Sequence, residues 1–487
     1  MSVDLILEKI VGWLWGLPLI FTVLFVALYF TVGSKVFQLF HLPHIFKATF
    51  GKVFSKEERE RSKSEKGILT PFQAVSTAIG GSVGVGNIGG VATAIAVGGP
   101  GAVFWMWLTA LFSMMTKMVE VTLAVHYRST DEKGDPYGGP TYYMQKGLGE
   151  ERNFKLWWIP AFLFGFGIFS TFFITLQNYT VAEAIDSSFG FGLIPSSIIY
   201  VIGIYLIILG GIKRIGETAA KIIPAMCLFY LLAGLYIIFS NAGDILPVFG
   251  LIFDSAFTGM AAVGGFTGAA VAQVIQMGVA RAVYSNEAGW GTSPMIHSTA
   301  KTDHPVKQGM WGAAEVFIDT MVICSVTALT IIITGMWSSG LDGASLTLAA
   351  FEEGIGEAGR FVITISVFLF GLTTTTGWYT YYEILLRQVF GKPDQASLKG
   401  KVLKFFQLVY PLPGLLLVIY AVYYELPGKY VWYFADITTA IPTFVNLVVL
   451  LFLSKRFFEL LRDYKARELG VGIPDPDFRV FYEDRKK

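Results

Sequence analysis

Residues 78–90 read Ala-Ile-Gly-Gly-Ser-Val-Gly-Val-Gly-Asn-Ile-Gly-Gly, and residues 262–270 read Ala-Val-Gly-Gly-Phe-Thr-Gly-Ala-Ala. Both glycine clusters lie inside long apolar stretches that carry no charged residue. Each glycine within a helix costs ~1 kcal/mol relative to alanine, so clustered glycines predict unwound backbone. Unwound backbone at membrane depth is tolerated only where protein or a cavity supplies hydrogen-bond partners. The sequence therefore predicts two interrupted helices.

The composition is typical of a membrane protein. Of the 487 residues, 54% are hydrophobic and only 15% are charged. Lys and Arg total 37 and Asp and Glu total 36, so the chain has no strong positive balance and we expect no nucleic-acid partner. The two cysteines, Cys227 and Cys324, lie in apolar runs, and we interpret them as packing residues.

The apolar stretches set the number of membrane helices, because a hydrocarbon core needs about 20 apolar residues per helix. The stretch 67–116 is about twice that length and contains Gly98-Gly99-Pro100-Gly101, which predicts two helices joined by a turn. We therefore expect eleven transmembrane helices. Continuous rather than alternating apolar character argues against spanning strands. The charge-free stretches are 10–34, 67–116, 156–182, 187–212, 222–243, 255–280, 320–341, 361–382, 405–424 and 437–454.

Lys and Arg concentrate in alternate loops. The loops 35–66, 128–155 and 387–404 and the tail from Lys455 are rich in them, whereas the loop 337–357 is acidic. By the positive-inside rule the basic loops face the cytoplasm. We therefore expect a multi-pass protein of the plasma (cytoplasmic) membrane with its N-terminus outside and its C-terminus in the cytoplasm.

The two glycine clusters fall five helices apart. Interruptions at matching positions of two halves are typical of inverted-repeat secondary transporters, whose site lies between the breaks. The predicted fold is all-α, with eleven helices, a five-plus-five inverted repeat and one extra N-terminal helix. Glycines at four-residue spacing also allow close helix packing, and this alternative stays open. The predicted parts are 1–66 (N-terminal helix and loop), 67–243 (first repeat), 244–460 (second repeat) and 461–487 (cytoplasmic tail).

Three motifs carry a family resemblance. Residues 86–107 read Gly-Asn-Ile-Gly-Gly-Val-Ala-Thr-Ala-Ile-Ala-Val-Gly-Gly-Pro-Gly-Ala-Val-Phe-Trp-Met-Trp, residues 284–291 read Tyr-Ser-Asn-Glu-Ala-Gly-Trp-Gly, and residues 300–305 read Ala-Lys-Thr-Asp-His-Pro. This pattern resembles the alanine/glycine:cation symporters, also called the sodium:alanine symporter family. The resemblance implies a leucine-transporter-like architecture and sodium-coupled uptake of small neutral amino acids, alanine and glycine.

The first glycine cluster is the predicted carboxylate site. An amino acid at the membrane midplane needs its carboxylate neutralised, and the free amides at the start of a half-helix provide this. We expect Gly84, Val85, Gly86 and Asn87 to bind it, and the run resembles the Gly-x-Gly-Asn of leucine-transporter-like symporters. Where those relatives have an earlier Asn, this chain has Gly81, which argues against a second sodium site shared with the carboxylate.

The uncharged run 371–377, Gly-Leu-Thr-Thr-Thr-Thr-Gly, is the predicted source of sodium ligands. Sodium is a hard cation that prefers several oxygen ligands. Two adjacent threonine hydroxyls and a helix carbonyl, facing carbonyls freed in the first break, would supply them. The alternative is that each threonine hydroxyl bonds to its own helix. The predicted sodium ligands are Gly80, Val83, Gly371, Thr374 and Thr375.

The remaining walls are predicted from spacing and architecture. Phe173 and Gln177 are four residues apart and would share a helix face. Phe266 and Trp378 are candidates for a lid, and crowded aromatics would exclude amino acids larger than alanine. Thr267 and Thr373 complete the predicted substrate site.

Several charges lie close to apolar runs. We interpret Lys117 and Glu120 as a structural pair, and Glu315 and Asp319 as helix-end residues within reach of water. The segment around Glu287 is interpreted as an inner gate or loop-packing element. A proton-coupled carrier and an ion channel remain alternatives. An enzyme is disfavoured because no nucleophile, base or metal set is assembled, and sodium is the only cofactor-like partner expected.

Overall fold

The computed structural model describes residues 3–53, 55, 67–84, 86–173, 176–258, 271–390, 396–424 and 429–485. These ranges are almost entirely helical, with one short antiparallel hairpin that pairs Ser129–Thr130 with Pro136–Tyr137. The α-helices are Val3–Leu14, Leu17–Gly33, Phe37–Phe40, Leu42–Ala48, Pro71–Ser82, Val91–Gly98, Ala102–His126, Pro140–Tyr143, Trp158–Ser170, Leu176–Phe189, Leu193–Ile208, Gly211–Ser240, Ile245–Thr258, Val271–Asn286, Ser293–His297, Pro305–Val316, Ser325–Ile333, Gly343–Ile355, Glu357–Val389, Ala396–Val409, Leu412–Tyr424, Lys429–Phe452 and Ser454–Leu469. Wider π-helical turns are Gly86–Gly90, Met144–Glu151 and Phe317–Cys324, and tighter 3₁₀ turns are Phe50–Lys52, Thr171–Phe173, Ala242–Asp244, Met336–Ser338 and Tyr482–Arg485.

Seven helical stretches in the described ranges are long and apolar enough to cross a membrane, and nine if each of two bent pairs is one span. The chain is therefore an all-α, multi-pass membrane protein. The count of eleven stays a prediction. The seven stretches are Lys9–Gly33, Ala102–His126, Trp158–Phe189, Gly211–Ser240, Pro305–Ile333, Glu357–Val389 and Leu398–Tyr424, and the bent pairs are Pro71–Ser82 with Gly86–Gly98 and Asp436–Phe452 with Ser454–Leu469.

The first broken helix follows the glycine cluster. The first part of this helix begins after a capping box, in which the side chains of Thr70 and Gln73 accept hydrogen bonds from each other's backbone N–H groups. This part ends at Ser82. Helical structure resumes at Gly86, and the two parts are bent by 54°. We call the interruption between Ser82 and Gly86 the first break. The glycine pattern alone predicts its position.

A second break lies where the sequence analysis expected a gate or loop-packing element. The helix Val271–Asn286 stops at Asn286, and helical structure resumes at Ser293. Between them Glu287, Gly289 and Gly291 have φ angles of +52°, +95° and +75°, which no right-handed helix contains. We call residues 287–292 the second break. The predicted interruption at 262–268 lies outside the described residues, and so does the middle of the predicted helix 255–280.

Close packing brings the two breaks together. A Cβ added to Gly278 would lie 2.5 Å from both the Ala102 carbonyl oxygen and the Trp105 Cβ. The helix that ends at the second break therefore packs in direct contact with the helix Ala102–His126. At the first break, a Cβ on Gly86 would lie 3.5 Å from the Tyr284 ring. The two unwound segments are thus neighbours inside the bundle.

We expect Gly278→Ala to lower the thermal stability of the purified protein, because the added methyl group overlaps main-chain atoms. Overpacking of this kind costs about 1–3 kcal/mol. Gly250→Ala is the matched control, since nothing lies within 4 Å of its added Cβ, and it should leave the melting temperature unchanged or raise it. A melting curve for Gly278→Ala equal to that of Gly250→Ala would contradict the close helix contact.

Candidate functional site

The first break faces the helix Glu357–Val389, which we call the threonine helix. The Thr374 hydroxyl lies 2.9 Å from the Gly80 carbonyl oxygen and 3.3 Å from the Val83 carbonyl oxygen. The Thr373 hydroxyl donates to the Phe370 carbonyl oxygen at 3.0 Å, and a Cβ on Gly80 would lie 3.1 Å from the Thr373 Cβ. Neutral oxygens from both elements therefore meet at this contact.

Asn87 is the reason that two carbonyls are directed to the threonine helix. In a continuous helix the Gly84 N–H would donate to Gly80 and the Asn87 N–H to Val83. Instead the Gly84 N–H donates to the Asn87 side-chain oxygen at 3.0 Å, and the Asn87 N–H donates to the Gly84 carbonyl at 3.2 Å. The break thus diverts both donors and leaves the Gly80 and Val83 carbonyls to the Thr374 hydroxyl.

Not every predicted sodium ligand faces this contact. The Thr375 hydroxyl is 2.6 Å from the Tyr200 hydroxyl, and a Cβ on Gly371 would also meet Tyr200. Gly371 and Thr375 are four residues apart, so they share a helix face that is turned away from the first break. Thr376 donates to the carbonyl of Leu372 in its own helix. The structure brings Gly80, Val83 and Thr374 together, but not Gly371 and Thr375.

The predicted carboxylate site is only partly available. The Gly84 N–H and both polar ends of the Asn87 side chain already bind protein groups. Gly86 lies next to Tyr284 and Ser285 of the second broken helix, and Val85 lies outside the described residues. A Cβ on Gly84 would lie 2.6 Å from the Thr374 hydroxyl. Glycine at this position therefore permits the contact with the threonine helix.

Asp319 is a site residue that the sequence analysis misplaced. It is fully buried within the span Pro305–Ile333, so the expectation that water reaches it is wrong. Its carboxylate accepts hydrogen bonds from the Asn87 amide at 2.6 Å, and from the Ser285 and Thr320 hydroxyls at 2.8 Å each. The charge-free stretch of this helix begins at residue 320, directly after the acid, so apolar character alone does not place Asp319 inside the membrane helix.

Charged side chains from the helix Ala102–His126 hold the second break. The Lys117 ammonium donates to the Glu287 carbonyl at 2.9 Å and to the Ser293 hydroxyl at 3.0 Å, while Glu120 accepts from the Gly289 N–H at 3.0 Å. Lys117 and Glu120 are therefore structural residues, as interpreted, but their hydrogen bonds are made to the second break and the segment after it. A helix would satisfy these backbone groups internally, so unwinding requires side chains to replace it.

Glu315 is also fully buried, contrary to the expectation of a hydrated helix end. Its carboxylate lies 3.0 Å from His297 Nε2 and 3.8 Å from the Lys117 ammonium. A buried charge is tolerated where partners surround it. Glu315 thus belongs to the group that fixes the segment following the second break.

Aromatic rings link the two breaks. The Trp378 indole N–H donates to the Gly81 carbonyl of the first broken helix at 3.3 Å, and its ring lies 6.5 Å from that of Trp290 in the second break. Trp290 also packs edge to face against Tyr284 at 5.3 Å. Trp378 therefore lies between the two breaks, and its role as a lid or pocket residue stays a prediction. Trp290 and Tyr284 were not predicted, although both lie in the motif 284–291.

The predicted wall at Phe173 is not at the site. Its side chain is 62% exposed and lies beside Leu416 on the outer surface, whereas Phe172 is buried. Residues 171–173 form a 3₁₀ turn, so the spacing expected of one continuous α-helix does not apply. Gln177 is half-buried in the following helix, and Phe266 and Thr267 lie outside the described residues.

Comparisons with known proteins show which family the chain resembles. The sodium:alanine symporter family matches residues 1–475. The sodium/alanine symporter AgcS of Methanococcus maripaludis is 36% identical over 449 residues, which cover 91% of this chain and 93% of that protein. YrbD of Bacillus subtilis, whose name describes a candidate sodium/proton-dependent alanine carrier, is 34% identical and covers 96% of this chain and 93% of its own.

The fold has solved counterparts. The structure of MhsT in complex with L-phenylalanine matches with a TM-score of 0.51 at 12% identity, covering 82% of this chain and 99% of that chain. This likeness shows a leucine-transporter-like fold. Because the family match extends over nearly the whole length and includes both breaks, the chain belongs to the sodium:alanine symporter family of membrane transporters.

Proposed function

We propose that this protein is a secondary active symporter that couples uptake of small neutral amino acids, alanine and glycine, to sodium entry by alternating access. The contact of Thr374 with the Gly80 and Val83 carbonyls carries the proposal, because it joins a broken helix to a second element through neutral oxygens. The names of the family and of AgcS support it. Sodium is the coupling ion, and no catalytic step or organic cofactor is part of the proposal.

We assign the sodium ion to the oxygens between the first break and the threonine helix. The ligands are the carbonyls of Gly80 and Val83 and the hydroxyl of Thr374, with the Thr373 hydroxyl and the Phe370 carbonyl adjacent. Sodium loses a tightly held hydration shell on entry, and about five neutral oxygens would replace it. Helices that close around such an ion are drawn together, which links ion binding to conformation.

We assign the amino-acid carboxylate to the start of the half-helix Gly86–Gly98. Its first amides and its dipole favour an anion. The methyl group of alanine would then face Tyr284, Trp290 and Trp378, whose rings lie around both breaks. Bulky rings at close quarters favour a small side chain.

The orientation and repeats follow the loop charges and the breaks. We place the N-terminus outside and the C-terminus in the cytoplasm of the plasma membrane. Two inverted repeats, 67–243 and 244–460, would each contain one broken helix. The site then lies between the interruptions predicted at 78–90 and 262–270, as in inverted-repeat transporters generally.

Proton coupling is the second candidate. The buried carboxylate of Asp319 beside the first break favours it, because an acid inside the membrane is a common proton carrier. The name of YrbD, which includes both sodium and protons, is consistent with either ion.

The decisive experiment uses purified protein in potassium-loaded proteoliposomes. We expect an inward sodium gradient to drive concentrative uptake of labelled alanine at constant pH, and an inward proton gradient without sodium to drive none. Vesicles with equal sodium on both sides are the control and should only equilibrate. Uptake driven by the proton gradient alone would show that the coupling ion is the proton and not sodium. Uptake that never exceeds the equilibrium concentration of alanine would contradict symport.

Thr374→Ala tests the sodium site. Removing one oxygen from a shell of about five should raise the half-saturating sodium concentration roughly tenfold or more. By linkage, alanine affinity at subsaturating sodium should fall too. Thr376→Ala is the matched control, because that hydroxyl donates only within its own helix in the contacts described. If the two variants had the same half-saturating sodium concentration, Thr374 would not be a sodium ligand.

Alaninamide tests the carboxylate site. It retains the amino group and methyl group of alanine but lacks the anion that the helix start would attract. We expect it to compete with alanine uptake about 10- to 100-fold more weakly than glycine, since a hydrogen bond to a charged group contributes roughly 1.5–3 kcal/mol. Competition by alaninamide as strong as that by unlabelled alanine would move the carboxylate away from the half-helix.

A further inference from the structure

A buried carboxylate lies between the two broken helices. Asp319 is fully buried in the π-helical turn Phe317–Cys324, and its two oxygens accept hydrogen bonds from three side chains. An ionised acid inside a bundle is costly unless hydrogen bonds stabilise it, and here three donors do so. Single π-helical turns often occur at functional sites, because they redirect a side chain that an α-helix would place elsewhere.

One oxygen of Asp319 acts on the first break. It accepts the Asn87 amide N–H at 2.6 Å, which orients the Asn87 carbonyl oxygen toward the Gly84 N–H at 3.0 Å. That N–H is the group which would otherwise occupy the Gly80 carbonyl. Because the Gly84 N–H does not bind the Gly80 carbonyl, this carbonyl can accept a hydrogen bond from the Thr374 hydroxyl at 2.9 Å. Asp319 therefore reaches the proposed sodium ligands without touching them.

The other oxygen acts on the end of the second broken helix. It accepts the Ser285 hydroxyl directly, and it accepts the Thr320 hydroxyl, which in turn receives the Asn286 amide at 3.1 Å. Asn286 is the last helical residue before the second break. Three elements of the bundle therefore meet at one side chain, and two of them are the broken helices.

The neighbouring acid does not share this role. Glu315 lies one turn earlier on the same helix, but its carboxylate is taken up by His297 at 3.0 Å and Lys117 at 3.8 Å. Cys324 contacts Asn87 at 3.4 Å and Ser285 at 3.1 Å, as a weak partner beside the carboxylate. The orientation of Asn87 therefore depends chiefly on Asp319.

We propose that Asp319 is a positioning residue that keeps the first break unwound and joined to the second broken helix, so that the Gly80 and Val83 carbonyls remain available to the coupling ion. The proposal rests on the function proposed above. It assigns Asp319 no direct contact with sodium or alanine and no transfer of a proton.

The test exchanges the two partners. Asn87→Asp brings a second carboxylate to within 2.6 Å of the first, and Asp319→Ala removes the acceptor. In the double variant Asn87→Asp/Asp319→Asn, the amide introduced at position 319 can donate to the carboxylate introduced at position 87. The amide oxygen at position 319 can accept both hydroxyls, and the carboxylate at position 87 still accepts the Gly84 N–H. The hydrogen bond between positions 87 and 319 is retained with its donor direction reversed, and the Cys324 thiol, which accepts weakly from the Asn87 amide, can donate to the new carboxylate instead. The total charge is that of the natural chain.

Binding of radioactive sodium to the purified full-length protein without alanine is the first measurement. We expect Asn87→Asp and Asp319→Ala to weaken sodium binding by about 10- to 100-fold, the usual effect of residues that orient ion ligands. The exchanged pair should return to within about threefold of the natural protein. Thr327→Val is the matched control, since Thr327 is equally buried on the same helix and its hydroxyl meets Tyr230 instead.

Hydrogen exchange in peptides that contain Gly84 is the second measurement and needs no ligand. Both single variants disturb the orientation of the side chain at position 87, which should weaken its hydrogen bond from the Gly84 N–H and speed exchange. The exchanged pair should reverse this. If the natural protein binds no sodium, the proposed function is wrong while the exchange data still decide the role of Asp319. The proposal would be overturned if Asp319→Ala bound sodium as tightly as the natural protein and if its Gly84 peptides exchanged hydrogen at the same rate. The proposal would also be overturned if the exchanged pair were as impaired in sodium binding and hydrogen exchange as Asn87→Asp alone. This comparison remains decisive if Asp319→Ala does not fold.

Discussion

An unmade backbone hydrogen bond in a hydrocarbon environment is the constraint on which the rest of this structure depends. Each unwound segment exposes N–H and C=O groups that water cannot reach, and each missing partner costs several kcal/mol. At the first break Asn87 and Thr374 provide partners, and at the second break Lys117 and Glu120 provide them. The polar residues in the bundle are placed by this requirement.

The same requirement makes the breaks usable. A carbonyl released from its helix is a neutral oxygen ligand, and an amide released at a half-helix start is an anion donor. Asn87 separates these roles by taking the Gly84 N–H, so that the Gly80 carbonyl is left to the threonine helix. Unwinding a helix thus converts groups that serve the fold into groups that bind ions. The buried side chains of Lys117, Glu120 and Asp319 stabilise the unwound segments through their hydrogen bonds.

The sequence predicts the first break and the Thr374 contact well, because dense glycines and a run of threonines leave strong local signals. At the second break it predicts a gate or loop-packing element but not the unwound backbone, because only Gly289 and Gly291 mark it and the left-handed conformation of Glu287 has no local signature. The sequence does not predict the buried position of Asp319, because a charged residue interrupts the apolar run by which a membrane helix is recognised. Phe173 was misplaced because a 3₁₀ turn changes the helical spacing, and such a turn depends on tertiary packing.

The Lys117 contacts also bear on how the chain is assembled during synthesis. This lysine belongs to an early membrane helix, yet its hydrogen-bond partners Glu287 and Ser293 follow it by 170 and 176 residues, and its ionic partner Glu315 comes later still. A lysine at this depth without partners is unfavourable in lipid by several kcal/mol. The early helices therefore reach their final positions only after the second broken helix has been made. Biogenesis of the first half thus depends on the second, and a chain truncated before the second break would lack the Glu287, Ser293 and Glu315 groups that contact the Lys117 ammonium.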